Sequence, residues 1–393
     1  MKYFKVDPQN PSQQVIEEAV AVLRRGGVIV YPTDTLYGLG IDATNPKAVH
    51  KLYLIKQRDP QIPVSLMVHS LDDIEQIAGM LPVDVYEQLK KLMPGKFTVL
   101  IEQKSKGILP VFEEYGVRPA GKNKIGFRIP DLPLCEKLAG AFGLPISTTS
   151  ANISGKGNLR SVIDIIAHFG DKLDLIIDGG AVKSVKGSTI IDFTKKPLLV
   201  VREGDVPIKE VKERLNDPSI RKKKTRFDVL FVCSGNINRS VMAEGILKAM
   251  LARTRYKDII QVHSAGTLYL PPSPAHEYTR KVCDENNISV NEHRSRHLTQ
   301  HMVEEADVII ALAMDHKYFI EKKYPEFAEK VVLLKQWHHR KKIPLPSVAD
   351  PMGYEIDFYR ETFREIRNEI KRIMPYLLAE VKEFMDYHDL TLE

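Results

Sequence analysis

Short apolar runs alternate with amphipathic stretches along most of the chain. Residues 14–25 carry their apolar side chains at helical spacing and predict a helix. Gly27-Val28-Ile29-Val30-Tyr31 is a continuous apolar run that predicts a buried strand. Residues 46–58 predict a helix opening on Pro46, where a missing N–H costs least. Further strands are predicted at 64–68, 97–101, 125–129, 173–177, 188–193 and 198–201. The pattern stops after Arg202-Glu203-Gly204, leaving a short helical patch at 210–213 and the basic run Arg221-Lys222-Lys223-Lys224-Thr225-Arg226. In the second half, strands at 228–232, 259–262, 307–312 and 330–334 are separated by helical segments, as parallel pairing requires. Phe358, Phe363, Ile366, Ile370, Ile373 and Leu377 then recur at helical spacing in a terminal helix over 357–388. Both halves read as α/β.

A chain of 393 residues divides into two or three domains at roughly 150 residues each. The pattern places one domain at 1–205, a basic linker at 206–225 and a second domain at 226–393. The linker reads as a solvated segment, with a nucleic-acid patch as the alternative. No apolar run reaches the roughly 18 residues needed to span a membrane, and the first residues lack an apolar leader. Three cysteines make no disulfide framework, so a cytoplasmic protein is expected. The net charge of +6 suits anionic substrates and says little about nucleic acid.

Chemistry is densest at 229–240. The strand Val229-Leu230-Phe231-Val232 delivers Cys233 into the loop Ser234-Gly235-Asn236-Ile237-Asn238, followed by Arg239-Ser240 and a helical run. Loop amides and a helix start point at one anion, and Arg239 adds a planar fork matched to phosphate oxygens. The same field holds Cys233 as a thiolate, and a thiolate beside a phosphoryl group implies covalent transfer to sulfur. A buried structural cysteine would not explain the flanking Gly-Asn and Arg-Ser.

These residues resemble the low-molecular-weight protein tyrosine phosphatases. So do His263-Ser264-Ala265-Gly266-Thr267, His293-Arg294-Ser295-Arg296-His297-Leu298-Thr299 and Asp350-Pro351. The resemblance implies a Rossmann-like domain with a four-stranded parallel sheet and no cofactor. It makes Cys233 the nucleophile, Arg239 the phosphoryl clamp, Ser240 a donor to the thiolate and Asp350 the general acid. Asn236 is the loop asparagine braced by His293. A phosphorylated protein is the implied substrate. Asn238 stands where many relatives have a second cysteine, and Val241 where they have proline. The related arsenate reductases need extra redox cysteines, and only Cys283 remains in this half.

The first half carries Pro32-Thr33-Asp34-Thr35-Leu36-Tyr37-Gly38-Leu39-Gly40, then Lys56-Gln57-Arg58, then Pro145-Ile146-Ser147-Thr148-Thr149-Ser150-Ala151-Asn152-Ile153-Ser154-Gly155. A cationic pair and a hydroxyl-rich loop suit a nucleotide phosphate site; they equally suit helix-end cations and a surface loop. Together with Ile125-Gly126-Phe127-Arg128-Ile129-Pro130, Gly187-Ser188-Thr189 and Arg202-Glu203-Gly204, they resemble the YrdC-like threonylcarbamoyl-AMP synthases. The resemblance implies a twisted mixed α/β sheet domain that joins L-threonine, bicarbonate and ATP, the last with Mg2+. The product would feed tRNA N6-threonylcarbamoyladenosine formation, which makes tRNA-modification machinery an implied partner. By position Lys56, Arg58, Ser150, Asn152 and Arg202 match ATP contacts. Thr35, Arg128, Thr148 and Ser188 match threonine contacts. Met67 stands where a histidine often helps bind threonine. The alternative is a non-catalytic RNA- or nucleotide-binding module.

Overall fold

The computed structural model describes residues 1–59, 64–103, 124–152, 159 and 161–392. They form two compact units, Met1–Lys223 and Lys224–Glu393.

The first unit holds two sheets. The smaller has five strands in the order Lys2–Lys5, Leu175–Asp178, Ile29–Pro32, Tyr37–Gly40, Thr149–Ser150. The larger has seven, in the order Arg221–Lys222, Leu199–Arg202, Thr189–Asp192, Phe97–Glu102, Lys124–Arg128, Leu66–Met67, Ile146–Ser147. Parallel and antiparallel pairs mix in both, so the unit is a mixed α/β sheet domain. Every predicted strand is present, shifted by a residue or two or shortened. The run at 64–68 keeps only Leu66–Met67. The stretch Tyr37–Gly40, which the sequence marks as part of a polar turn, is a fully buried strand paired antiparallel to Ile29–Pro32. Its glycines allow this. A Cβ at Gly40 would lie 2.8 Å from the Tyr31 ring.

Helix Pro46–Lys56 starts where the Asn45 side chain accepts from the amides of Lys47 and Ala48. It ends where Gln57 turns left-handed at φ 48°. The stretch expected as a linker is folded onto this unit. Ile208–Leu215 is a helix, and Arg221–Lys222 pairs parallel with Leu199–Val200. Val206, Val211, Leu215 and Ile220 join the core, because their apolar spacing lets a charged helix bury one face. Of the basic run, Lys224 belongs to the second unit, paired with Asp228 at 2.9 Å and Asp307 at 2.6 Å.

The second unit is a four-stranded sheet in the order Ile260–Gly266, Phe227–Cys233, Val308–Ala311, Val331–Leu333, parallel throughout. The order places the Cys233 strand inside the sheet. The terminal helix Ile356–His388 buries Phe363, Ile366, Ile370, Ile373 and Leu377, with Pro375 within it. Among the described residues, no helix is long and apolar enough to cross a membrane, and no cluster of three or more His, Cys, Asp or Glu could hold a metal.

Candidate active sites

In the second unit, strand Phe227–Cys233 carries Cys233 to the carboxyl edge of the sheet, where open α/β sheets place ligands. Helix Arg239–Leu251 begins just past the loop. The loop wraps the thiol. Cys233 Sγ lies 2.9 Å from Ser240 Oγ and accepts from the Asn236 amide at 3.3 Å. Asn236 is left-handed, at φ 54°, a region asparagine enters more readily than most side chains. Its Nδ2 donates to Ser240 Oγ at 2.9 Å and to Ser264 Oγ at 2.8 Å, and its Oδ1 accepts from the Arg296 amide at 3.0 Å. His293 donates from Nε2 to the Asn236 carbonyl at 2.8 Å, and burial pulls its pKa down. Ser264 in turn donates to Glu244 at 2.5 Å. Gly266 lies beside Cys233 in register, and a Cβ there would meet the Ser234 carbonyl at 2.5 Å.

Arg239 is buried. Its Nη1 donates to the Val348 carbonyl at 3.0 Å, and its Nη2 to Asp350 Oδ2 at 2.6 Å and Ser234 Oγ at 3.3 Å. Its Nε is buried without a partner, a spare donor of the kind an anion site needs. Asp350, half-exposed, thus meets the loop through Arg239. Asn238 accepts from Thr279 at 2.8 Å, so a neutral pair fills the place of a second thiol. Ile237 is partly exposed, near Gly235.

In the first unit, Arg128 ends its strand and donates to Asp34 at 2.7 Å and to Thr35 Oγ1 at 3.1 Å. Its Nε is also buried without a partner. Arg202 donates to the Ser188 carbonyl at 2.9 Å and hydroxyl at 3.3 Å, and Ser188 shares a hydrogen bond with Thr98 at 2.8 Å. Burial of the guanidinium and the nearby charge of Arg128 lower the Arg202 pKa. Thr148 is buried, its amide bonded to the Ser65 carbonyl at 2.7 Å. Lys56, buried at the helix end, donates to the carbonyls of Ser150 at 2.5 Å and Asn152 at 2.8 Å. Ser150 Oγ donates to Asn152 Oδ1 at 2.5 Å. Burial first, then Arg58, lowers the Lys56 pKa to about 7. Arg58, half-buried beside the Tyr53 hydroxyl, is also lowered by burial. The 153–155 end of the hydroxyl-rich loop lies outside the described residues. Met67 is buried in register with Arg128 on one side and Ile146 on the other, packed in the apolar cluster of Tyr31, Leu132 and Cys135.

Each half therefore brings together residues far apart in sequence. Sequence reasoning missed Asp34 as the partner of Arg128, although it lies inside the quoted motif. It also missed Thr98 and His316. His316 is buried with Nε2 2.9 Å from Ser234 Oγ, and nothing in local spacing marks it.

The Sua5/YciO/YrdC family model, described as "Telomere recombination", matches residues 21–204. The model described as "Low molecular weight phosphotyrosine protein phosphatase" matches residues 228–386. The chain is 35% identical over 212 residues to a putative threonylcarbamoyl-AMP synthase of Methanocaldococcus jannaschii, covering 53% of this chain and 96% of that protein. It is 30% identical to the solved YwlE arginine phosphatase of Geobacillus stearothermophilus, covering 40% of this chain and 96% of that one, with a TM-score of 0.36. P. abyssi Sua5 complexed with L-threonine aligns over 85% of this chain and 99% of that one, with 18% identity and a TM-score of 0.51, a likeness of fold alone.

Proposed function

The chain belongs to the Sua5/YciO/YrdC family in its first half and to the low-molecular-weight phosphotyrosine protein phosphatase family in its second, and on that premise we propose that it is a bifunctional enzyme. The first unit forms threonylcarbamoyl-AMP from L-threonine, bicarbonate and ATP, releasing pyrophosphate and water, as a supply for tRNA modification. The second hydrolyses phosphotyrosine in proteins. One observation carries the reading. In each unit a buried cation bonds a motif far along the chain, Lys56 to Ser150 across 94 positions and Arg239 to Asp350 across 111.

ATP would carry its Mg2+ on its own phosphate oxygens, the hard donors that ion prefers. Lys56 and Arg58 neutralise triphosphate charge as pyrophosphate departs, with Ser150, Asn152 and Arg202 holding the nucleotide. Arg128 takes the threonine carboxylate, with Thr35, Thr148 and Ser188 around it. Asp34 occupies one Nη of Arg128, which aims the remaining guanidinium edge. In the second unit the Cys233 thiolate attacks phosphorus as the P–O bond breaks, and Asp350 protonates the leaving oxygen. Asp350 then takes a proton from water, which attacks the phosphocysteine and frees the thiolate. Arg239 and the loop amides hold the equatorial oxygens through both steps.

Threonine-dependent pyrophosphate release from ATP and hydrolysis of p-nitrophenyl phosphate test the two halves. Absence of either in folded protein removes that half of the proposal. Phosphoarginine is the second reading for the phosphatase. Met352-Gly353-Tyr354 after Asp350-Pro351 lacks paired aromatics, and Gly353 turns left-handed at φ 85°. Ile237 weighs against it, because a branched apolar side chain in the loop offers a guanidinium no hydrogen bond.

A further inference from the structure

His316 lies on helix Met314–Lys323, which follows strand Val308–Ala311. Its side chain is 1% exposed, and its Nε2 is 2.9 Å from Ser234 Oγ. That hydroxyl also accepts from Arg239 Nη2 at 3.3 Å. Asp315 Oδ2 stands 3.7 Å from the same imidazole nitrogen, beyond hydrogen-bond range, and is itself mostly exposed. His316 Nδ1 is buried without a partner.

These contacts assign the proton. Burial, then the charge of Arg239, pushes the His316 pKa down to about 4, with Asp315 and Asp350 pulling the other way. The ring is therefore neutral and carries one N–H. A proton on Nδ1 would be a buried donor with no acceptor, which folded proteins rarely tolerate. A proton on Nε2 leaves only a bare lone pair at Nδ1, the lesser cost. Nε2–H then donates to Ser234 Oγ. With Arg239 also donating there, both lone pairs of Ser234 are filled, and its own proton must point elsewhere.

We propose that His316 is a positioning residue of the phosphatase site: through Ser234 Oγ it fixes the Arg239 guanidinium and turns the Ser234 O–H toward the phosphoryl group in the loop. This rests on the phosphatase reading of the second unit.

The test uses the full chain with His316→Leu, His316→Asn, His316→Gln, Ser234→Ala and the double variant His316→Leu/Ser234→Ala. The readouts are kcat/KM on p-nitrophenyl phosphate, inhibition by vanadate, and thermal melting. Removing one hydrogen bond to a hydroxyl that braces a charged donor should cost about tenfold in kcat/KM. His316→Leu should show that loss and weaken vanadate by a similar factor. His316→Gln, whose amide reaches the Nε2 position, should return to within about threefold of wild type, while His316→Asn, whose amide stops at Nδ1, should not. The double variant should be no worse than Ser234→Ala. Should His316→Leu fail to fold, the contrast between Gln and Asn decides alone. Wild-type rates in Leu or Asn, a Gln variant as poor as Asn, or multiplying losses in the double variant would each overturn the proposal. A wild type that hydrolyses nothing would instead overturn the phosphatase reading beneath it.

Discussion

Gly204 closes the Arg202-Glu203-Gly204 motif, and its replacement by alanine offers a sharp test of the first unit. A Cβ there would lie 2.3 Å from the Gly187 carbonyl oxygen, 2.4 Å from the Ser188 carbonyl carbon and 2.5 Å from the Ser188 oxygen. Each is about 1 Å short of ordinary contact, and all three atoms are backbone, so no side chain can swing aside. The two segments are tied together. The Gly204 amide donates to Thr189 Oγ1 at 2.9 Å, and the Asp205 amide to the Gly187 carbonyl at 2.8 Å. Relieving the clash therefore spreads 187–189 from 204–205. Overpacking costs about 1–3 kcal/mol, and backbone contacts place this case at the upper end. Loss of one tying hydrogen bond adds about 1 kcal/mol, so the unit should lose about 3–4 kcal/mol, on the order of 10 °C in Tm. Ser188 moves with its backbone and carries the Arg202 bond with it. A shift of about 1 Å at a substrate-positioning residue costs on the order of a hundredfold in rate. The assay is threonine-dependent pyrophosphate release beside a thermal melt, with p-nitrophenyl phosphate hydrolysis as internal control, since Cys233 lies in the other unit. A Gly204→Ala protein with wild-type melting and wild-type kcat/KM for threonine would refute the steric argument.

Under the proposed phosphatase chemistry Cys233→Ser should be inactive, because serine does not ionise near neutral pH; residual hydrolysis above roughly a hundredth of wild type removes the nucleophile assignment. Asp350→Asn should slow aryl phosphate turnover by roughly 100- to 10,000-fold, and an unchanged pH–rate profile would take it out of the mechanism. Lys56 is lowered to about 7, whereas the unfolded chain holds that proton until about 10.4. The buried charge thus costs stability below pH 7, and the cost fades as pH rises toward 10.4. The stability of wild type relative to Lys56→Met should rise across that window, while the variant makes no adenylate; a pH-independent difference in chemical denaturation counts against the burial account. Ile237→Thr should move the ratio of kcat/KM on matched phosphotyrosine and phosphoarginine peptides toward phosphoarginine, and a wild type already favouring phosphoarginine would reverse the substrate assignment.

The sequence by itself determined what local order can encode. Apolar runs marked all four strands of the second unit but missed Lys2–Lys5, Tyr37–Gly40, Ile146–Ser147, Thr149–Ser150 and Arg221–Lys222 in the first, and apolar spacing marked the terminal helix. The segment from Val229 to Ser240 set out a strand, a loop and a helix start in consecutive residues, so the layout of this candidate site was legible without any partner. Strand pairing was not. The polar-looking Tyr37–Gly40 stretch became a buried strand because Tyr31 packs over its glycines, a contact made only across the sheet. The 206–225 stretch looked like linker because its four core residues are scattered among charges, and only an existing core gives them somewhere to go. The same holds for Asp34, Thr98 and His316. Their residue types carry no signal, and what matters is which guanidinium or hydroxyl each meets. That is decided by long-range packing, where burial removes water as the competing partner and leaves each polar group to the protein atom the fold puts beside it.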